Sequence, residues 1–263
     1  MEFADGKMLG EVEAGIGTIT FNNPEKRNAM SLDMWRGLVD ILDRFEGDAS
    51  VRAVVLTGAG NKAFVSGADI SQFDSQRADS GAQRDYDTLT SAGRARLAAF
   101  SRPVIARIRG FCLGGGLGIA LQADLRIAAE DAEFGIPAAR LGLAYGAGMV
   151  RQLVSLVGPA QARLLLYTGS RITATEAARI GLINRVVATG ELRDAVDELA
   201  RTIAGNAPLS IRAAKLAVDA AVEPDSVADG LLDAAIADCF DSADYREGRA
   251  AFQEKRLPQF RGT

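Results

Sequence analysis

From Val12 to Asn22 the chain alternates, with Ile16, Thr18 and Thr20 on one side and Gly17, Ile19 and Phe21 on the other. A period of two predicts a half-buried strand, paired as an antiparallel ribbon with the segment before it and ended by Asn22-Asn23-Pro24. The period then changes. Trp35, Leu38, Leu42 and Phe45 recur at helical spacing behind a candidate cap, Ser31, and Gly47 closes the element. Arg52 to Thr57 and Pro103 to Ile108 read as short buried strands, and Asp124 to Ala128 and Phe134 continue the alternation of brief strands and helices. Such alternation predicts an α/β fold with right-handed crossovers and a partly parallel sheet layered with helices. Residues 72–96 are polar and irregular, either a loop and helix beside a site or a solvated surface. After Gly158-Pro159 the pattern turns helical. Thr173-Ala-Thr-Glu176 is a capping box, Gly181 a stop, and Leu182 to Val187 is short and extended. From Glu191 four helices follow, broken near Asn206-Pro208, Glu223-Pro224 and Asp241-Ser242. The pattern divides the chain into a core over residues 1–200 and a helical region over 201–263.

Composition narrows the chemistry. The 263 residues carry a formal charge of -4 and no dense basic stripe, so no nucleic-acid partner is expected. Met1 to Gly10 holds Glu2, Asp5 and Lys7 in place of an apolar run, and no stretch is long and apolar enough to span a membrane. The expected location is therefore the cytoplasm. Cys112 and Cys239 have neither metal spacing nor a disulfide framework, and Cys112 reads as a small buried hydrophobe. The histidine count is zero, which excludes Ser-His-Asp and Cys-His catalysis and His-containing metal sites. Proton transfer falls to Asp, Glu, Tyr, Lys, Cys or water. Gly58-Ala59-Gly60-Asn61-Lys62-Ala63 imitates a dinucleotide fingerprint, but Phe64-Val65-Ser66-Gly67 follows where that motif requires a helix.

The candidate chemistry lies in two glycine-bearing segments. Gly114-Gly115-Gly116-Leu117-Gly118 places four glycines in five positions where a loop becomes a buried helix. Without Cβ atoms the backbone can approach another group closely, and a helix start offers unpaired N–H groups. Tight helix packing is the competing explanation. Ala63-Phe64-Val65-Ser66-Gly67-Ala68-Asp69-Ile70 follows a strand and can turn at Gly67-Ala68. Together the two segments could aim two amides at one carbonyl oxygen, each contributing about 3–4 kcal/mol to an oxyanion-forming transition state.

This pairing resembles the crotonase family, the enoyl-CoA hydratase/isomerase superfamily. The likeness runs through Asn23-Pro-Glu-Lys-Arg-Asn28-Ala29, the AFVSGADI segment, Pro103 to Asp124, Phe134-Gly-Ile-Pro137, Thr168-Gly-Ser-Arg-Ile, Ala178 to Asn184, Asp244-Tyr-Arg-Glu-Gly248 and Ala251 to Arg256. The resemblance implies a crotonase-like core of ββα spiral turns and a helical C-terminal trimerisation region, assembled as a homotrimer or a dimer of trimers. It also implies an acyl-CoA ligand, with coenzyme A part of the substrate and no further cofactor or metal, among the lyases and isomerases of fatty-acid metabolism. Ala68 and Gly115 match the positions whose amides hold the thioester oxygen, with Gly114 beside them. Lys26, Arg27 and Ala29 match the cradle of the adenosine end, Asp69 and Ile70 follow Ala68 along the pantetheine path, and Phe252 and Lys255 match C-terminal positions that approach a bound CoA.

Two departures bear on the reaction. Family hydratases carry a glutamate three residues beyond the middle glycine, where Gly118 stands, and a second after the Phe-Gly-x-Pro turn, where Ala138 stands. Neither residue can position water or protonate a carbon. Tyr145, in the loop that follows, is a candidate replacement acid or base, or a packing aromatic. Arg140 is expected to pair with Glu130 or Asp131, and Asp124 to support the strand behind the site. The resulting expectation is an acyl-CoA enzyme of hydratase/isomerase type with an atypical acid/base group. The alternatives are a non-catalytic acyl-CoA-binding protein and a scaffolding oligomer.

Overall fold

The computed structural model describes residues 1–69 and 80–263. Among them the strands form two sheets. The larger contains β1 (Glu2–Phe3), β2 (Met8–Glu13), β3 (Ile16–Phe21), β4 (Ala53–Gly58), β6 (Val104–Ile108), β8 (Leu125–Ala129) and β11 (Arg185–Val187), in the order β1-β2-β3-β4-β6-β8-β11. The first three strands are antiparallel to their neighbours, and from β3 onward the pairing is parallel. The smaller sheet, β10-β9-β7-β5, is built from β5 (Ala63–Val65), β7 (Phe111–Leu113), β9 (Glu133–Gly135) and β10 (Arg171–Thr173). Each turn of the chain thus lays one strand in the large sheet and the next in the small one. A helix then follows: α2 (Ser80–Ala98) after β5 and α3 (Gly115–Ala120) after β7.

The alternation in the strands decides which layer each side chain joins. In β4, Val54 and Leu56 enter the main core while Val55 faces the other way; in β6, Val104, Ala106 and Ile108 oppose Ile105. α1 (Leu32–Gly47) covers the main core with Met34, Trp35, Leu38, Ile41, Leu42 and Phe45, all buried. Each contributes about 1.5–3 kcal/mol by leaving water. Its start is fixed by Ser31, whose hydroxyl accepts a hydrogen bond from Met34 N. The opposite face is closed by α6 (Leu192–Ala204) through Leu192, Val196 and Ala200, one per helical turn.

Two boundaries differ from the sequence expectation. The run Val12 to Asn22 is divided by a turn at Ala14 and Gly15, both at positive φ, so Val12 and Glu13 belong to the preceding strand. The helix around Gly158-Pro159 begins earlier: α4 (Ala147–Thr168) kinks there, where Gly158 takes φ 74° and Pro159 cannot donate to the previous turn. Thr173 caps α5 (Ala174–Arg179) by accepting from Glu176 N. The chain closes with α7 (Pro208–Val222), α8 (Leu231–Asp241) and α9 (Ala243–Glu254), breaking where expected. Among the described residues no helix is long and apolar enough to cross a membrane.

Candidate functional site

Asn28 organises one side of the site. It is fully buried in the left-handed region (φ 57°). Its side-chain oxygen accepts from Asn23 N at 2.9 Å, and its amide donates to Ala59 O at 3.0 Å and Ala63 O at 2.8 Å. That staple lays residues 27–30 along 66–69. Ser66 N donates to Arg27 O, Met30 N to Gly67 O, and Asp69 N to Met30 O, at 2.8–3.1 Å. This short parallel bridge uses Gly67 O and Asp69 N, on either side of Ala68, but not the Ala68 amide itself.

The glycine run forms the other side. Gly114 N donates to Gly135 O, and Gly114 adopts φ 54° and ψ -118°, a conformation closed to most side chains. Gly115 is the first residue of α3, so its amide is one that helix geometry leaves unpaired. A methyl group on Gly115 would lie 3.9 Å from Ala68 N. A methyl on Gly116 would fall 2.0 Å from Val65 O, so there the glycine permits close packing of α3 on β5. The tight-packing reading of the run therefore applies at Gly116. The far end of α3 is tied by Arg126, 4 % exposed, whose guanidinium donates to Ala120 O, Ala123 O and Leu182 O.

Ala68, Gly114, Gly115 and Ala138 line one cavity of about 730 Å³. One wall is α2, which presents Tyr86, Thr90 and Arg94 at successive turns; Tyr145, Met149 and Gln152 line another. The Tyr145 hydroxyl is 3.2 Å from the position of a methyl on Gly114. Gly118 is buried, and a methyl there would meet Met149 Sδ at 3.1 Å and Arg94 Cδ at 3.8 Å. Burial pushes the Arg94 guanidinium below its ordinary value, opposed by Tyr86, Tyr145 and Asp87. Backbone N–H groups aimed into one cleft bind a carbonyl oxygen and stabilise the negative charge that develops on it. Among the described residues no cluster of His, Cys, Asp or Glu could hold a metal ion.

Among the described residues, the remaining sequence candidates do not line this cavity. Lys26 Nζ pairs with Asp69 Oδ2 at 2.8 Å, linking the residue after Ala68 to the exposed 3₁₀ turn Pro24–Lys26. The Arg27 guanidinium stacks 5.2 Å over the Phe111 ring, and Ala29 is buried beneath it in the chain. Ile70 lies outside the described residues. Phe252 and Lys255 stand at the end of α9 and are not brought to this cavity within one chain; Phe252 borders a separate apolar one with Phe240 and Tyr245. Cys112 is fully buried, and burial raises its thiol pKa. Asp124 accepts from Val104 N and pairs with Lys215 at 3.0 Å, fastening α7 to the sheet. The expected Arg140 ion pair does not form. Arg140 donates to Thr168 O and Ser170 Oγ, and Asp131 is held by Arg109, because the turn Pro137–Arg140 faces the end of α4. Sequence reasoning missed Arg94 and Gln152 as cavity residues; their only signal was helical spacing in segments read as polar surface or left unassigned.

The enoyl-CoA hydratase/isomerase family model matches residues 11–263. The chain is 38% identical over 247 residues to a short-chain-enoyl-CoA hydratase of Clostridium acetobutylicum, covering 94% of each. It is 37% identical over 251 residues to a crotonyl-CoA hydratase of Syntrophomonas wolfei, covering 95% of this chain and 96% of that one. The crystal structure of an enoyl-CoA hydratase/carnithine racemase from Magnetospirillum magneticum superposes with a TM-score of 0.94 at 36% identity, over 99% of this chain and 97% of the other.

Proposed function

The chain belongs to the enoyl-CoA hydratase/isomerase family, and from that premise we propose that it is an acyl-CoA-processing enzyme of hydratase or isomerase type that holds the thioester oxygen between the amides of Ala68 and Gly115. The observation that carries this reading is the 3.9 Å approach of the Gly115 methyl position to Ala68 N, in a cavity both residues line. An enolate formed at the thioester would place its charge on the oxygen facing those amides, in a site partly withdrawn from water. Coenzyme A enters as part of the substrate. Lys26, Arg27 and Ala29 support its adenosine end, Asp69 and Ile70 its pantetheine, and Phe252 and Lys255 approach it across the assembly.

The acid/base step is where this chain departs from hydratases with two glutamates. Gly118 and Ala138 carry no proton-transfer group, whereas the Tyr145 hydroxyl stands beside Gly114. We assign Tyr145 the role of proton donor in whatever turnover the site supports. The test separates binding from turnover. By calorimetry, butyryl-CoA binds more tightly than free CoA, and Gly115→Pro, which removes one amide at a helix position that tolerates proline, erases the difference. Equal affinity of the native protein for both ligands overturns the reading. Crotonyl-CoA hydration, followed by mass spectrometry, is slow relative to a two-glutamate relative, since each lost acid/base group costs roughly 10²–10⁴-fold. Tyr145→Phe abolishes the residual turnover while the thioester preference remains. A thioester preference with no turnover on any enoyl-CoA identifies a binding protein instead.

A further inference from the structure

The cavity wall holds a guanidinium that, among the described residues, forms no ion pair. Two arginines line the cavity, and their surroundings differ. Arg151 forms an ion pair with Glu223 at the rim. Arg94 donates to two neutral hydroxyls, Thr90 Oγ1 at 3.5 Å and Ser91 Oγ at 3.1 Å, and lies 5.5 Å over the Trp35 ring. Among the described residues it forms no ion pair. Asp87, two turns earlier on α2, acts on it through space.

Holding a cation in a cavity wall without a counter-charge is unfavourable, and it persists where an incoming group supplies the charge. A side chain at position 118 would start 3.8 Å from Arg94 Cδ, one helical turn beyond Gly115, yet residue 118 is glycine. Ala138, which lines the cavity, also brings no charge. Arg94 thus shares one cavity with Ala68 and Gly115, and its stem lies near α3 one helical turn beyond Gly115.

We propose that Arg94 selects acyl thioesters whose acyl group ends in a carboxylate, binding that carboxylate through guanidinium N–H groups not used by Thr90 and Ser91. The planar fork of arginine suits a carboxylate at two points, which a water-filled neutral pocket does not. The inference rests on the thioester site proposed above and names the substrate class for it.

The test compares matched pairs by calorimetry: succinyl-CoA against butyryl-CoA and glutaryl-CoA against pentanoyl-CoA, with free CoA as the baseline. In the native protein at least one carboxylated thioester binds roughly 10- to 100-fold more tightly than its neutral counterpart, the range for a charge-assisted hydrogen bond. In Arg94→Gln that ratio collapses, and Arg94→Lys retains part of it. The ratio within each variant is independent of the fraction folded. A native protein that binds the neutral thioesters as tightly as the carboxylated ones, or a preference that survives Arg94→Gln, overturns the proposal. If neutral thioesters exceed free CoA and carboxylated ones do not, this inference alone fails; if no thioester exceeds free CoA, the thioester site fails and takes the inference with it.

Discussion

Side chains added at Gly116 and Gly118 would meet different fates. At Gly116 a methyl strikes Val65 O at 2.0 Å, a backbone atom that cannot yield without moving β5. At Gly118 it meets Met149 Sδ at 3.1 Å, the end of a flexible thioether. Gly116→Ala is therefore expected to cost about 3 kcal/mol or more, the upper range for overpacking, and Gly118→Ala less than about 1 kcal/mol. Thermal melts followed by circular dichroism check this; equal losses in the two variants would show that α3 does not pack on β5 as described. The glycine run alone could not separate these roles, since the sequence shows which residues lack a Cβ but not what stands opposite. Asn28 makes the same point. Its place in the Asn23-to-Ala29 motif was visible, yet its hydrogen bonds to Ala59 O and Ala63 O depend on a segment 31 residues away.

At the scale of elements, the C-terminal tail is fastened by a carboxylate with a lowered pKa. Glu247 on α9 accepts from the Arg256 guanidinium at 2.6 and 2.8 Å and from Gln259 N at 2.9 Å, which brings its pKa from the usual 4.5 to about 2. Hydrogen bonding by Arg256 is the larger cause. A folded pKa below the unfolded one means that the contribution is complete above pH 4.5 and is lost as the pH falls towards 2. Acidification through that window should raise hydrogen exchange at the Gln259 amide, and Glu247→Gln should raise it already at neutral pH. Unchanged protection across the window would refute the coupling. The tail has a second tie, Asp244 accepting from Arg261 N and Gly262 N, so Gln259 is the selective probe. The helix boundaries near here were legible because Pro208, Pro224 and Ser242 punctuate the chain locally. The start of α4 was not, because Gly146 and Gly148 resemble a loop and the burial that anchors the helix begins only at Met149 and Leu153.

At the scale of the whole molecule, the C-terminal helices carry more apolar surface than one chain buries. Phe252 is 86% exposed and Leu257 88%, with Phe240 and Tyr245 beside a neighbouring apolar cavity. Exposed aromatic patches of this kind mark association surfaces. We expect a homotrimer or a dimer of trimers, with residues 1–200 as the spiral core and 201–263 contributing to assembly. Light scattering at micromolar concentration reads this directly, and a monomer alone would contradict it. Truncation before Ser242 should shift the assembly downward and weaken CoA binding together.

The sequence by itself determined the α/β alternation, the strand faces, the capped helices and the family, because these rest on local periodicity, turn chemistry and motifs that keep their order along the chain. It also determined that carboxylates are absent at positions 118 and 138. Which side chains line the cavity near them was decided by tertiary structure. Arg94 lies 21 residues before Gly115 in a polar helix, and Tyr145 lies 30 residues after it in a glycine-rich loop. Only the return of successive ββα turns to the same sheets brings both to one cavity. A charge becomes functional through its distance to other groups, and that distance belongs to the fold.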